Sequence, residues 1–235
     1  MRVLNLFNQE HLTADFLRKN PAATVPVLEV ACDGKLLETI PDSLAIVKHL
    51  ERGDLGGKSL IPEGKEAMAW EWVDRVRAEF QSYTITFGKV ADASETSAPP
   101  GSGRAIRMLQ DIAEQHPDVA DAARTKLHTL KHVRRSAVSS EELQQAHEAA
   151  WRLLDALEEM LAPGQPFIFG ASFSVADAFT VPMLARLQWR NHGRQIRERS
   201  RVSQYWERIQ ERPSYLTVFD AQCHMDGHPE DCRCK

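Results

Sequence analysis

The signals for β-strand end at residue 40, and beyond residue 64 the chain is written in helical periodicity. Short β-rich runs occupy residues 3–7, 25–31 and 36–40, and Asp33-Gly34 between the last two is a hairpin turn pair. Later, Ala69, Trp72, Val73, Val76, Phe80, Tyr83 and Phe87 recur at three- and four-residue steps, as do Leu143, Ala146, Ala150, Leu153, Leu157 and Met160. That spacing puts one apolar stripe on each helix. A chain that changes period once, early, does not alternate strands and helices along its length. It predicts a small α/β unit followed by an all-α domain.

Punctuation refines this. A helix over residues 11–19 stops at Asn20-Pro21, because proline disfavours helix in the residue before it. A second helix runs to about residue 51, capped by Asp42 or Ser43. Residues 52–64 are turn-rich and mark the boundary. Residues 92–103 have loop composition. A helix over 106–112 breaks near His116-Pro117, and another covers 119–133. Its Arg124, Lys126 and Lys131, with Arg134 and Arg135, read as a solvated basic face. Ser139 and Ser140 start a long helix that Pro163-Gly164 ends.

Ser174 and Asp177 stand at capping-box spacing before a helix that contains Pro182, with Phe173 and Ala178 placed as its hydrophobic staple. The role read for Ser174 and Asp177 is structural. A last helix spans 202–211, before Arg212-Pro213-Ser214. The expected organisation is an α/β domain at 1–52, a linker at 53–64, the all-α domain at 65–220 and a polar tail at 221–235.

Composition narrows the function classes. In 235 residues, 29 Lys and Arg stand against 33 Asp and Glu, a net charge of −4 that gives no support to nucleic-acid binding. No run approaches the roughly 20 apolar residues of a membrane span. The opening "MRVLNLFNQEHL" is too polar for a secretory signal, so the expected location is cytoplasmic. Four cysteines, Cys32, Cys223, Cys232 and Cys234, make no disulfide framework. The last three, with His224 and His228, have soft ligands at short spacing. The spacing fits no standard finger, and no metal site is assigned. Cys32, beside the hairpin turn, reads as a buried or incidental thiol.

Asn20-Pro21, Val25-Pro26-Val27-Leu28, Asp42-Ser43-Leu44-Ala45-Ile46, Ser174-Val175-Ala176-Asp177 and Arg212-Pro213-Ser214 occur in one order with one approximate spacing. In this the sequence resembles the cytosolic glutathione transferase superfamily. "QHPDVADAARTKLHTL" is similar to a His-Pro…Lys pattern of its long-insertion branch. That branch holds the tetrachlorohydroquinone dehalogenases and relatives of the ganglioside-induced differentiation-associated protein.

The resemblance implies a thioredoxin-like N-terminal domain, with glutathione as co-substrate. Val25-Pro26 would be a cis peptide, and the Val25 backbone would pair with the cysteinyl unit of glutathione in the manner of an added strand. Ser43 would hold the γ-glutamyl carboxylate at a helix N-terminus, where unpaired N–H groups and the helix dipole favour an anion. Asp42 would pair with the γ-glutamyl ammonium. Trp70, Trp72, Phe80 and Tyr83 lie on the helix that lines the electrophile pocket in this family, but their spacing reads as core. The implied partners are glutathione and a small hydrophobic electrophile, with a homodimer as the assembly.

In the family, the thiol-activating Ser, Tyr or Cys precedes the segment that matches residues 3–7. The sequence is therefore expected to lack the first strand and helix, leaving the α/β domain incomplete. No catalytic residue is assigned, conjugation is expected near background, and residues 3–7 are expected to fray or re-pair. The two function classes are a glutathione transferase or glutathione-dependent dehalogenase, and a non-catalytic binding or scaffold protein on the same fold.

Overall fold

A computed structural model describes residues 2–6, 8–52, 58–90, 102–133 and 137–225. The chain divides into two compact units, one of Met1–Ser59 with Phe87–Leu143 and one of Leu60–Thr86 with Gln144–Lys235.

In the first unit, a 3₁₀ turn at Glu10–Leu12 precedes helix α1 (Ala14–Lys19), and the Thr13 hydroxyl caps α1 by accepting from Phe16 N–H. Strands β1 (Leu28–Cys32) and β2 (Lys35–Ile40) form an antiparallel hairpin, with Leu28 opposite Ile40 and Cys32 opposite Lys35. Its turn residues Asp33 and Gly34 both have positive φ, 49° and 77°. This is the backbone that a two-residue Asp-Gly hairpin loop needs. The register shifts after Val30, so Leu37 is the extra residue of a bulge. Helix α2 (Ser43–Glu51) follows.

Residues 3–6 form no strand: Val3 and Leu6 are exposed, and β1 and β2 pair only with each other among the described residues. High β propensity does not make a strand without a ladder partner. The segment was expected to fray or re-pair; residues 3–6 pair with no described strand, and the Asn5 and Leu6 carbonyls accept from Glu10 and Gln9 N–H in a turn, while residue 7 lies outside the described residues.

The same unit holds a two-residue strand β3 (Lys89–Val90), helices α5 (Ser102–Gln115) and α6 (Ala120–His128), and a two-residue strand β4 (Ala137–Val138) parallel to β3. A 3₁₀ turn at Pro117–Val119 joins α5 to α6, and one π turn, Thr129–Val133, extends α6. The core of this unit is helical. Leu12, Leu17 and Ala23 pack with Ala105, Leu109, Val119 and Ala123. Arg18 Nε also donates to Asp118 at 2.7 Å.

One expectation fails here. Lys126 is not on a solvated face; it is 5% exposed. Three of the basic residues read as a face, Arg124, Lys126 and Lys131, belong to α6 and the π turn, and periodicity puts Lys126 beside Ala123 on the inner side. Charge alone did not show that. Arg134 and Arg135 lie outside the described residues.

Among its described residues, the second unit has helices, their connecting turns and one isolated bridge, Phe167 with Gly170. The apolar stripe expected from Ala69 to Phe87 is divided between α3 (Glu66–Glu79) and α4 (Ser82–Phe87), because Phe80 is extended (ψ 99°) and ends the first helix. Helix α7 (Ser140–Met160) enters this unit at Gln144 and buries Ala146, Ala150, Leu153, Leu154 and Leu157. Helix α8 (Val175–Trp189) carries Pro182 in its interior and buries Leu184 and Leu187.

Helices α9 (Gly193–Arg197), α10 (Ser200–Gln210) and α11 (Pro213–Met225) are the last described elements. The helix read as the last, over 202–211, is α10, and Pro213 opens a further one not expected from the sequence. Proline is tolerated at the first helical position, where its missing N–H would have no partner anyway. Trp72 Nε1 donates to the Thr180 hydroxyl at 2.8 Å, tying α3 to α8 inside the core. Trp72 is core, as its spacing suggests, and Phe80 packs against the same cluster.

Among the described residues, no helix is long and apolar enough to cross a membrane.

Candidate functional site

The residues singled out around Val25 and Ser43 all lie in the first unit, on the loop before β1 and at the start of α2. The loop is built from Asn20. Its backbone N–H closes α1 on the Phe16 carbonyl. Its side chain is buried, accepts from Ala22 N–H at 3.0 Å, and donates to the Thr24 carbonyl at 2.7 Å and hydroxyl at 3.0 Å. Lys126 Nζ, from α6, donates to the carbonyls of Ala22 at 3.0 Å and Ala23 at 2.9 Å. Three successive carbonyls, those of residues 22 to 24, are thus satisfied by two side chains rather than by a sheet.

The Val25-Pro26 peptide that follows is cis. Val25 is 42% exposed, and its backbone N–H and C=O have no partner among the described residues. A residue with both its donor and its acceptor free can pair with one residue of a second peptide strand.

At the start of α2 the structure decides between the two candidate caps. Asp42 is the N-cap: its Oδ1 accepts from Leu44 N–H at 3.0 Å and Ala45 N–H at 3.1 Å. Ser43 is the first helical residue, exposed, with its hydroxyl unengaged among the described residues. A free hydroxyl on the first turn of a nine-residue helix is suited to donating to an anion. The cap carboxylate of Asp42 beside it favours a cation. Together they suit a zwitterionic amino-acid group.

Cys32 is exposed rather than buried, and its Sγ lies 3.7 Å from Asp33 Oδ2. Among the described residues, no group of three or more His, Cys, Asp or Glu is placed to hold a metal ion. His228, Cys232 and Cys234 lie outside the described residues, and of Cys223 and His224 only the helical backbone of α11 is described.

The second unit holds a buried polar centre of another kind. Ser174 and Asp177 form a reciprocal capping box at the start of α8. Asp177 also accepts from Ile168 N–H at 3.1 Å and from the Tyr205 hydroxyl at 3.0 Å. Burial pushes the Asp177 carboxyl up, against the hydrogen bonds from Ser174, Ile168 and Tyr205. Burial and the neighbouring Asp177 charge push the Tyr205 phenol up. Every oxygen of this carboxylate is committed to the fold, so it offers nothing to a substrate. The spacing of Ser174 and Asp177 was legible in sequence. The part played by Ile168 and Tyr205 was not, because they come from other parts of the chain.

An aromatic cluster joins α7 to the turn before α9: His147 stacks on Trp151, and His192 meets both edge-on at 4.6 and 5.3 Å between ring centres. Burial lowers the pKa of both imidazoles, and for His192 the nearby His147 and Arg190 lower it further.

Comparison with known proteins fits this geometry. The glutathione S-transferase N-terminal domain family matches residues 2–52, which hold the loop, hairpin and α2. The glutathione S-transferase C-terminal domain family matches residues 140–208, in the helical second half. A glutathione S-transferase TCHQD from Arabidopsis thaliana is 28% identical over 92% of this chain and 78% of its own length. A tetrachloro-p-hydroquinone reductive dehalogenase from Sphingobium chlorophenolicum is 29% identical over 90% of this chain and 81% of its own. Among solved structures, a glutathione transferase from Burkholderia graminis with two glutathione molecules bound per subunit aligns over 94% of this chain and 76% of that one. Its TM-score is 0.56 and its identity 20%, a likeness of fold.

Proposed function

Because this chain belongs to the glutathione S-transferase family, with the N-terminal thioredoxin-like domain and the helical C-terminal domain both present, we propose that it binds glutathione at Val25, Pro26, Asp42 and Ser43 and delivers its thiol to a small hydrophobic electrophile. The observation that carries this reading is that the Val25 backbone and the Ser43 hydroxyl are both without a partner among the described residues and both lie in the segment that matches the N-terminal family. Val25 N–H and C=O would pair with the cysteinyl residue. Ser43 would hold the γ-glutamyl carboxylate through its O–H at the positive end of α2, with Asp42 on its ammonium. Those contacts hold the peptide by both ends of its γ-glutamyl–cysteinyl half and leave its sulfur to react.

The relatives' names point to halogenated aromatics as the electrophile class, handled by conjugation or by reductive loss of halide. No described residue is assigned the thiol-activating role. The homodimer and cytoplasmic setting implied by the resemblance go with this reading.

Calorimetric titration with glutathione tests the site. Ser43→Ala leaves the Asp42 cap in place, so it removes one hydrogen bond to the ligand without unpinning α2. It is expected to weaken binding by about 0.5–1.5 kcal/mol. Equal affinity in variant and parent would remove Ser43 from the site. Turnover of chlorodinitrobenzene or tetrachlorohydroquinone above the uncatalysed rate would then show chemistry as well as binding. Binding without turnover would favour the scaffold class.

A further inference from the structure

We propose that Lys126, on the inserted helix α6, is a positioning residue for the glutathione-binding loop. This rests on the reading of Val25 given above. Residues 22–24 run into Val25 without a sheet to fix them, so their carbonyls need donors from side chains. Asn20 serves Thr24 from within the loop. Lys126 serves Ala22 and Ala23 from more than a hundred residues away in sequence.

Three features make this more than incidental packing. The lysine is almost wholly buried, and a buried ammonium is costly unless its hydrogen bonds are made. Ala23 is itself buried with φ 48°, a left-handed conformation that a residue bearing a Cβ holds only when its surroundings enforce it. The third feature is where the fixed segment ends. The carbonyls of residues 22, 23 and 24 are held, and 25 is the first of the loop whose N–H and C=O both lack a partner among the described residues. Lys126 therefore sets where the free N–H and C=O of Val25 stand relative to α2. Pairing with a peptide tolerates only a few tenths of an ångström before its hydrogen bonds weaken.

Through Ala123, α6 joins an apolar cluster of Leu12, Leu17, Ala23, Leu109 and Val119. An unbranched apolar side chain of similar length would fill the same space. Lys126→Met thus separates the two roles: packing is kept, and the donors to the loop are removed.

The test compares the 235-residue parent and Lys126→Met by glutathione calorimetry, thermal melting and amide hydrogen exchange. The expected result is a melting temperature within a few degrees of the parent, glutathione affinity down about tenfold from the lost charged donor, and faster exchange confined to residues 20–27. Unchanged affinity and exchange would overturn the proposal. Weaker binding with faster exchange spread through both units would also overturn it, because that is general destabilisation. If the parent itself binds no glutathione, the glutathione reading falls and the exchange data decide alone. Loosening of 20–27 would then support Lys126 as the clamp of this loop, and no change there would refute it.

Discussion

Asp177 shows how one side chain can be over-determined by the fold. It accepts from Ser174 N–H at 2.7 Å and the Ser174 hydroxyl at 2.5 Å, as well as from Ile168 N–H and Tyr205 O–H. Asp177→Ala would leave several buried donors without an acceptor at once, and each costs about 1–3 kcal/mol when orphaned. The expected loss is at least ~3 kcal/mol in urea denaturation, with the variant at the edge of folding. Tyr205→Phe removes only one donor and is expected to cost about 1–2 kcal/mol. A loss for Asp177→Ala no larger than that for Tyr205→Phe would show that the network is not shared. Lys126 is the contrasting residue. Its identity and its helix were legible in the sequence, but its partners were not, because backbone carbonyls leave no mark in a sequence pattern.

At the scale of elements, the start of α10 is capped by another helix. Arg199, its N-cap residue, makes no capping bond. Glu158 of α7 instead accepts from Arg201 N–H at 3.1 Å and Val202 N–H at 2.8 Å, and pairs with the Arg201 guanidinium at 3.3 Å. Burial pushes the Glu158 carboxyl up, but the two backbone N–H groups and Arg201 together outweigh it and hold it below its ordinary value. The folded state therefore prefers the ionised form. Its contribution is complete above the ordinary glutamate value and is lost as pH falls through the lowered one. Glu158→Gln is expected to cost about 1 kcal/mol at neutral pH and to flatten the acid limb of stability against pH. A parallel pH profile for parent and variant would contradict this. Capping from another helix has no sequence signature. Caps from within a helix do have one: Thr13, Asp42 and Ser174 all precede their helices.

At the scale of the molecule, the change from period two to helical period is visible in the sequence, and it places the hairpin and the long helices α7, α8 and α10, but it misses α9 and α11 and merges α3 with α4. What it does not show is partnership. Residues 87–143 belong to the same compact unit as the hairpin, a grouping that depends on Leu12, Leu17 and Ala23 finding Leu109 and Ala123 across most of that unit's sequence. Val3 and Leu6 fail as strand for the same reason, since a ladder needs two members. The candidate site was legible because its parts are local: one loop and one helix start, joined by a hairpin whose Asp-Gly turn fixes the register.

The central claim, that this loop and helix start together bind glutathione, is tested most directly by nuclear magnetic resonance titration of the isotope-labelled chain with glutathione. The expected result is saturable shifts at the amides of Val25, Ser43 and Leu44, with those of residues 175–189 unmoved. Absence of saturable shifts at Val25 and Ser43, or shifts confined to other residues, would contradict it.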